Sequence, residues 1–348
     1  MNSILKNLKK NKTSRREMKK DFDGKLNTRQ RVFMKIFSFE FFKNVIVKIF
    51  MYVFLIGISY IILYPFITKI SASFMSSADF NDVTVKLIPR NPTLDTYRYI
   101  IIENNYIEAL INTALLSVST ALIQTLVTAI IGYGLAKFNF KGKSIVFGLV
   151  ILSMVIPHKT LQFPMFSFFK YFDIFGLHEF FSKLLFGEYK AIALTDTVMP
   201  LILLSIFGLA FKNGLYIFIF RQFYKGVPDE LEEAAYVDGS GIFKTYFRII
   251  LPLTIPMMTT IFMFAFSWQW TDKYYNNLFF VAPDGPKFLP GVVSKIPASL
   301  SVIAEPGSLM ESAVYNTGGI LVILPLFIVF LFAQKALVQG IERSGIVG

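Results

Sequence analysis

Six long apolar segments constrain the fold of this chain more than any other feature. A helix needs about 20 mostly apolar residues to cross the hydrocarbon layer of a membrane. The segments that reach this length lie at about 47–69, 109–136, 145–168, 197–220, 252–271 and 317–337. Hydrophobic residues make up 54% of the chain, more than a soluble domain of this size carries. The sequence therefore predicts an all-α membrane protein with six transmembrane helices.

The distribution of charge predicts the orientation of these segments. Residues 1–46 form a basic arm, and the turn between the second and third segments carries Lys137, Lys141 and Lys143. The loops expected on the opposite side are balanced or slightly acidic. Because cytoplasmic loops carry the excess of Lys and Arg, we predict a multi-pass protein of the cell membrane with both termini cytoplasmic. A six-span domain at 47–337 then precedes a cytoplasmic tail at 338–348.

The basic arm favours a membrane surface over a nucleic acid as its partner. Lys and Arg beside a transmembrane segment attract the anionic headgroups of membrane lipid. Binding of single-stranded nucleic acid also uses aromatic rings that stack on bases, and Phe22 is the arm's first aromatic residue, with no other before Phe33. We therefore predict contact with membrane lipid and no nucleic-acid partner.

Composition argues against chemistry on this chain. It has no Cys, which excludes disulfides and thiol catalysis, and two His, which makes a His-built metal site improbable. Gly142-Lys143-Ser144 imitates the end of a phosphate-binding loop, but Lys137 occupies the position of its first glycine. The acidic residues lie in loops or at segment edges, whereas a proton-coupled carrier usually has them inside the membrane. We predict no catalytic residue, no metal and no cofactor bound by this chain.

An acidic stretch, "PDELEEAAYVDGSGIFKTYFRIILP", separates the fourth and fifth apolar segments at Pro228–Pro252. Its acids crowd the start of a predicted helix, where the helix dipole favours negative charge. One narrow, nearly flat face of that helix carries residues at i, i+3, i+4 and i+7, namely Leu231, the two small residues Ala234 and Ala235, and the acidic Asp238. Gly239 then predicts a break, because glycine adopts the left-handed conformation that ends helices. The alternative is a solvated loop whose alanines are only helix formers.

A second short helix is expected after Gly239. Its apolar stripe is Ile242, Phe243, Tyr246, Phe247 and Ile250. Pro252 either ends this helix or begins the next membrane segment. The sequence thus predicts a cytoplasmic helix–turn–helix with one small, acidic docking face.

The residue pattern of this stretch resembles that of a known family. In "EAAYVDGSGIFKTYFRIILP", Glu-Ala-Ala is followed by three residues, Gly, nine residues, Ile, one residue and Leu-Pro. This pattern resembles the EAA loop of bacterial ABC importer permeases. The stretches "LIPRNPTLDTYRYI", "NTALLSVSTALIQTLVTAIIGYGLAKFNFKGK" and "LFAQKALVQGIERSGIVG" are similar to the carbohydrate, maltose-type subgroup, and most of all to its complex-oligosaccharide branch.

The resemblance implies a permease subunit of an ATP-driven importer for a sugar or oligosaccharide. Its partners would be a second related permease, two ATPase subunits that bind ATP and Mg²⁺, and an extracellular solute-binding protein. The coupling loop, residues 225–251, would dock on an ATPase. Its contact residues would be Leu231, Glu233, Ala234, Ala235, Asp238, Gly239 and Pro252, with the alanines seating the helix. A permease for a non-sugar solute, or a self-sufficient carrier or channel, is the alternative.

Polar residues inside two apolar segments are candidates for the substrate pathway. His158, Lys159 and Gln162 lie between two prolines in the third segment. They either line a water-filled path or belong to a proline-kinked helix end from which Lys159 reaches the interface. Trp268 and Gln269 end the fifth segment, where they either bind sugar or belong to the aromatic belt of the membrane interface.

Overall fold

The computed structural model describes residues 39–173, 176–186 and 192–345. Most of the basic arm and the last three residues of the tail lie outside this part of the chain. The described residues are helical apart from loops and one isolated antiparallel bridge between Phe172 and Ile192, which confirms the all-α prediction. The helices, numbered along the chain, are α1 Phe39–Ser73, α2 Ser77–Asn81, α3 Asp95–Glu103, α4 Tyr106–Lys137, α5 Lys143–Val155, α6 Gln162–Lys170, α7 Leu177–Phe186, α8 Met199–Ile206, α9 Asn213–Lys225, α10 Glu230–Val237, α11 Ile242–Trp270, α12 Tyr274–Phe279, α13 Leu289–Val292 and α14 Leu309–Gly345.

The chain divides into two compact units, Met1–Thr68 and Lys69–Gly348. The described part of the first unit is the apolar helix α1, whose Phe50 and Phe54 rings stack with centroids 6.3 Å apart. The second unit holds the remaining helices and the candidate functional residues.

Four helices in the described residues are long and apolar enough to cross a membrane. They are Val45–Ser73 within α1, α4, α11 and Leu309–Val338 within α14, and they cover the first, second, fifth and sixth predicted segments. The third segment forms a bent pair, α5 and His158–Lys170, which meet at 96° and raise the number to five if they make one span. The bend follows from Pro157, because the residue before a proline is disfavoured in helical conformation, and Ile156 is extended.

The fourth segment, 197–220, departs from the single helix that we expected. Helix α8 ends at Ile206 and α9 begins only at Asn213. Between them Gly208 and Lys212 have φ of +70° and +69°, in the left-handed region. Each of these two residues interrupts the right-handed helical conformation of the backbone. The expectation of one continuous helix over this segment is therefore wrong.

Helix α4 lies at the centre of the second unit and packs against α8, α9, α11 and α13. Its buried face is rich in Ala, Gly and Thr, the residues that let membrane helices approach closely. The hydroxyls of Thr120, Thr125 and Thr128 each donate to the carbonyl four residues earlier, so they add no unpaired polar group to this apolar interior. The core is completed by large side chains of the neighbouring helices, including Phe220, Ile261 and Val314.

Candidate coupling and pathway sites

Helix α10 forms within the coupling loop, where the sequence predicts it. The backbone N–H groups of Glu232 and Glu233 both donate to the carbonyl of Asp229 at 3.0 Å, which starts the helix directly after Pro228. Glu230, Glu232 and Glu233 occupy its first turn, where they offset the positive end of the dipole.

The predicted break at Gly239 is confirmed by the backbone. Gly239 has φ of +76° and donates its N–H to the carbonyl of Tyr236 at 3.0 Å. Ser240 donates to the carbonyl of Ala235 at 2.9 Å. These two bonds are the Schellman arrangement that closes a helix, and it needs a left-handed residue at the position of Gly239.

The two alanines of the EAA pattern face different ways. Ala234 is exposed together with Leu231, Glu233 and Asp238, whereas Ala235 is only 5% exposed. The reason is geometric, because adjacent residues of a helix point about 100° apart and the inner edge of α10 is formed by Glu232 and Ala235. The expectation that both alanines lie on the outward face is therefore wrong for Ala235, which packs against its own chain.

The segment after Gly241 differs from the separate second helix that we expected. Ile242–Trp270 is one continuous helix, with a π-helical turn at Tyr246–Ile250 in which Leu251 donates to the carbonyl of Tyr246. Pro252 has no N–H to donate, and a π turn just before it rearranges the bonding that proline would otherwise break. Pro252 thus neither ends a helix nor starts a new one; it lies near the first turn of the regular part of α11.

Lys137, which the sequence presents only as a topology-determining charge, contacts the coupling loop. Its Nζ lies 2.6 Å from the carbonyl of Val227, beside the carboxylate of Asp229 and 3.6 Å from Glu232 Oε1. Tyr133, one turn earlier on α4, donates its hydroxyl to Glu232 Oε2 at 3.3 Å. The signal available in the sequence was a basic residue at the end of a helix on the same membrane side as an acidic loop.

The pathway candidates do not form a single site. His158 lines a cavity of about 350 Å³ between the bent third segment and the broken fourth segment. Trp268 and Gln269 line a neighbouring, smaller cavity. Lys159 and Gln162 instead border an open depression of about 480 Å³ beside α12. The structure thus brings His158, Trp268 and Gln269 near one another, whereas Lys159 and Gln162 border a different depression.

Aromatic rings lie beside His158 and Lys212, two residues that line the larger cavity. His158 Nδ1 lies 2.8 Å from the hydroxyl of Tyr275. The Nζ of Lys212 lies 4.6 Å and 4.9 Å from the ring centroids of Phe211 and Trp268, a cation–π arrangement. Trp268 is half-exposed, whereas Trp270 is buried and donates its indole N–H to the carbonyl of Val322 at 2.9 Å. Of the two tryptophans, Trp268 is therefore the one whose ring is exposed.

Asp272, which no sequence motif singles out, lies just after α11 and lines the smaller cavity together with Trp268 and Gln269. Its Oδ1 accepts from the backbone N–H groups of Tyr274 and Tyr275 at 3.0 and 3.3 Å, and its Oδ2 has no hydrogen-bond partner among the described residues. Burial raises the pKa of Asp272 from its ordinary value to about 6, against the lowering effect of these bonds.

Comparisons with known proteins agree with the resemblance read from the motifs. The sequence profile of the family described as "Binding-protein-dependent transport system inner membrane component" matches residues 124–343, more than half of the chain. The arabinooligosaccharides transport system permease protein AraQ of Halalkalibacterium halodurans is 26% identical over 84% of this chain and 93% of its own length. Protein LplC of Bacillus subtilis is 26% identical over 85% and 92%. The maltodextrin permease MalD of Streptococcus pneumoniae is 25% identical over 84% and 93%.

A solved structure shares the fold. It is described as a bacterial ABC transporter involved in the import of the acidic polysaccharide alginate, and one of its chains matches with a TM-score of 0.62 and 18% identity. The match covers 84% of this chain and 97% of that one. The relatives are named as transport system permeases, so this chain is a non-catalytic membrane subunit and not an enzyme. The chain belongs to the family of binding-protein-dependent transport system inner membrane components.

Proposed function

We propose that this chain forms one half of the translocation pathway of an ATP-driven ABC importer for a sugar or oligosaccharide. The support for the substrate class is the naming of its relatives, which include permeases for arabinooligosaccharides, maltodextrin and trehalose. The other half of the pathway belongs to a second, related permease subunit. An extracellular solute-binding protein delivers the solute to the outer loops.

The exposed face of α10 is the proposed docking surface for an ATPase subunit. Leu231, Glu233, Ala234 and Asp238 are exposed on it, and the small side chain of Ala234 lets a partner approach the helix backbone closely. The observation that carries the proposal is an apolar extension of this surface, since Val237 is 88% exposed and Phe243 80% exposed. Large apolar groups exposed together in a water-facing loop are typical of a protein interface.

Ala235, Gly239 and Pro252 act indirectly in this proposal. Ala235 lets α10 lie close to its own chain, Gly239 turns the chain after α10, and Pro252 accompanies the π turn that continues the loop into α11. ATP and Mg²⁺ are bound by two ATPase subunits beneath the membrane. Closing of those subunits pushes α10, and the membrane helices rock towards the outward-facing state.

The proposed membrane arrangement has six spans with both termini cytoplasmic. The bent third segment and the broken fourth segment each count as one discontinuous span, which places the coupling loop 225–251 and the tail 338–348 in the cytoplasm. The excess of Lys and Arg on that side supports this orientation. Breaks within a span are tolerated where they line a water-filled cavity. We therefore assign His158, Trp268 and Gln269 to the pathway wall, with Lys159 and Gln162 at its margin.

The coupling role is tested by affinity purification of the tagged chain from its native membranes. Glu233→Lys reverses a charge on the docking surface, and Gly239→Pro removes both the left-handed turn and its N–H. We expect either change to reduce the ATPase subunits that co-purify at least fivefold, and with them the ATP hydrolysis stimulated by arabinotriose or maltotriose. Glu305→Lys, the same change in an exposed outer loop, is the control and leaves the amount of co-purified ATPase unchanged.

Intact complexes and unaltered ATP hydrolysis in both loop variants contradict the proposal. Solute uptake by the chain alone in liposomes without ATP would instead support a self-sufficient carrier.

A further inference from the structure

We propose that Lys137 is a positioning residue for transport, because it joins the coupling loop to the central helix α4. The push on α10 then reaches the membrane helices across the buried Lys137–Glu232 contact, which we call the joint, rather than along the two chain ends of the loop. This inference rests on the proposed coupling function of α10.

Lys137 is placed where one side chain holds both the start and the body of the coupling loop. It is the last residue of α4, and its side chain is only 7% exposed. Its ammonium group contacts the carbonyl of Val227 and the carboxylate of Asp229, which precede α10, and Glu232, which lies within α10. The side chain of Glu232 is 9% exposed. A charge pair shielded from water in this way is screened little by salt.

Tyr133, one helical turn before Lys137 on α4, also contacts Glu232. Its hydroxyl bonds the second carboxylate oxygen of Glu232, so both oxygens of Glu232 face α4. The ring of Tyr133 packs against Tyr224 of α9 and Tyr246 of α11, with centroids 5.4 Å and 4.7 Å apart. Glu232 therefore contacts one member of a cluster of three tyrosines from three helices.

The turn that links α10 to α11 is loosely packed by comparison. A Cβ atom added at Gly239 or at Gly241 would meet nothing within 4 Å, so neither turn residue is enclosed by neighbours. Ser240 is bonded back to α10 itself rather than to a membrane helix. A push on α10 can be absorbed by rotation of this turn, whereas Glu232 is joined to α4 by two buried contacts, the ion pair with Lys137 at 3.6 Å and the hydrogen bond from Tyr133 at 3.3 Å.

Helix α4 is suited to carry the motion onward. It packs against α8, α9, α11 and α13. At Gly132, five residues before Lys137, a Cβ atom would lie 2.5 Å from the Cβ of Phe220, so α4 and α9 are in close backbone contact beside the joint. Displacement of the inner end of α4 therefore displaces its neighbours.

The joint is tested first in the chain alone, where no ATPase is needed. Because the chain has no Cys, Glu230→Cys and Lys141→Cys give one spin-label pair between exposed positions on α10, outside the proposed docking surface, and just beyond α4. We expect one narrow distance distribution in lipid nanodiscs. Lys137→Met should at least double its width, because Glu232 loses the charge that holds it. Lys225→Met, which removes an exposed Lys at the end of α9, is the matched control and leaves the width unchanged.

The second arm uses the complex purified from native membranes with its ATPase subunits. In the wild-type background, AMP-PNP with Mg²⁺ leaves the distance between the two labels unchanged, because α10 and α4 move together. In Lys137→Met the same nucleotide shifts the distance by several ångströms, because α10 follows the ATPase and α4 does not.

A third variant keeps the test decisive if Lys137→Met folds poorly. Glu232→Gln keeps the volume of the side chain and an acceptor for Tyr133, and it removes only the charge. A distribution as narrow as in the wild type in both variants, with no nucleotide-dependent shift, overturns the proposal. A wild-type chain that binds no ATPase refutes the proposed function instead, while the measurement on the chain alone still decides whether the joint exists.

Discussion

The carboxyl group of Asp272 shows how a single residue can link burial to pH. Burial holds its pKa at about 6, above the ordinary value of 3.8. A carboxyl whose pKa is raised in the folded state binds its proton more tightly there than in the unfolded chain. Its protonation therefore stabilises the fold fully below about pH 4, and this stabilisation is lost as the pH rises through 6.

Asp272→Asn should accordingly raise thermal stability at neutral pH. The amide keeps an oxygen that accepts from Tyr274 and Tyr275 but carries no charge to desolvate. We expect a gain of roughly 1–3 kcal/mol at pH 7.5, from a pKa change of about two units, and a gain near zero at pH 4. The measurement is the melting temperature of the detergent-solubilised chain between these pH values.

Asp82 supplies the control with the opposite sign. Hydrogen bonds from the side chain and backbone of Thr84 lower its pKa, so its charged form is favoured in the folded state. At neutral pH, Asp82→Asn should therefore lower the melting temperature, the opposite of the change expected for Asp272→Asn. A difference between wild type and Asp272→Asn that does not vary with pH contradicts the assignment.

Residue type alone did not reveal which lysines do more than set topology. Lys137, Lys141 and Lys143 have the same chemistry and lie within one short stretch. Their difference arises from tertiary structure, because the partners of Lys137 lie about 90 residues further along the chain. The coupling helix itself was predictable, since its acidic start and its glycine end are local signals. The inward direction of Ala235 was not, because it depends on what packs beneath α10.

At the scale of elements, the close contact between α4 and α9 depends on Gly132. Gly132→Ala should destabilise the chain by about 1–3 kcal/mol, a typical cost of overpacking a tight core. The reason is that the new Cβ would lie 2.5 Å from the Cβ of Phe220 and 3.0 Å from the backbone N of Arg221. The measurement is again the melting temperature in detergent.

Gly134 lies on the same helix and gives a matched comparison. A Cβ atom there meets nothing within 4 Å, and alanine favours a helix more than glycine does. Gly134→Ala should therefore be neutral or slightly stabilising. Equal melting temperatures for the two variants would show that the packing of α4 against α9 is looser than the structure indicates.

Hydropathy predicted the positions of the four helices in the described residues that are long enough to cross a membrane, but not the discontinuity of the third and fourth apolar segments. The bend at Pro157 has a visible cause in the sequence. The break between Ile206 and Asn213 has a weaker cause in the sequence, because Gly208 permits a left-handed turn but the residues before it are as apolar as those of an unbroken span, and a left-handed Lys212 carries no sequence signal. The π turn before Pro252 was hidden for the same reason, since proline marked a change in bonding without specifying its form.

For the whole molecule, the orientation in the membrane can be measured directly. With no native Cys, the variants Val237→Cys and Val302→Cys each carry one exposed thiol. We expect a membrane-impermeant maleimide to label Val237→Cys in inside-out vesicles and Val302→Cys in right-side-out cells or protoplasts. Each variant should be at least fivefold less reactive from the other side. Labelling of Val237→Cys from outside the cell would exclude a cytoplasmic coupling loop and contradict the proposed function.

The continuity of α11 has a mechanical consequence for the assembled transporter. Its 29 residues form a rod about 43 Å long at 1.5 Å per residue, with the coupling loop at one end and Trp268 near the other. A tilt of about 5° about the inner end displaces the outer end by roughly 4 Å, comparable to the width of a sugar ring. In the proposed mechanism, α11 thus amplifies a small angular change that α4 passes to it through their packed contact, and the space beside that indole opens or narrows.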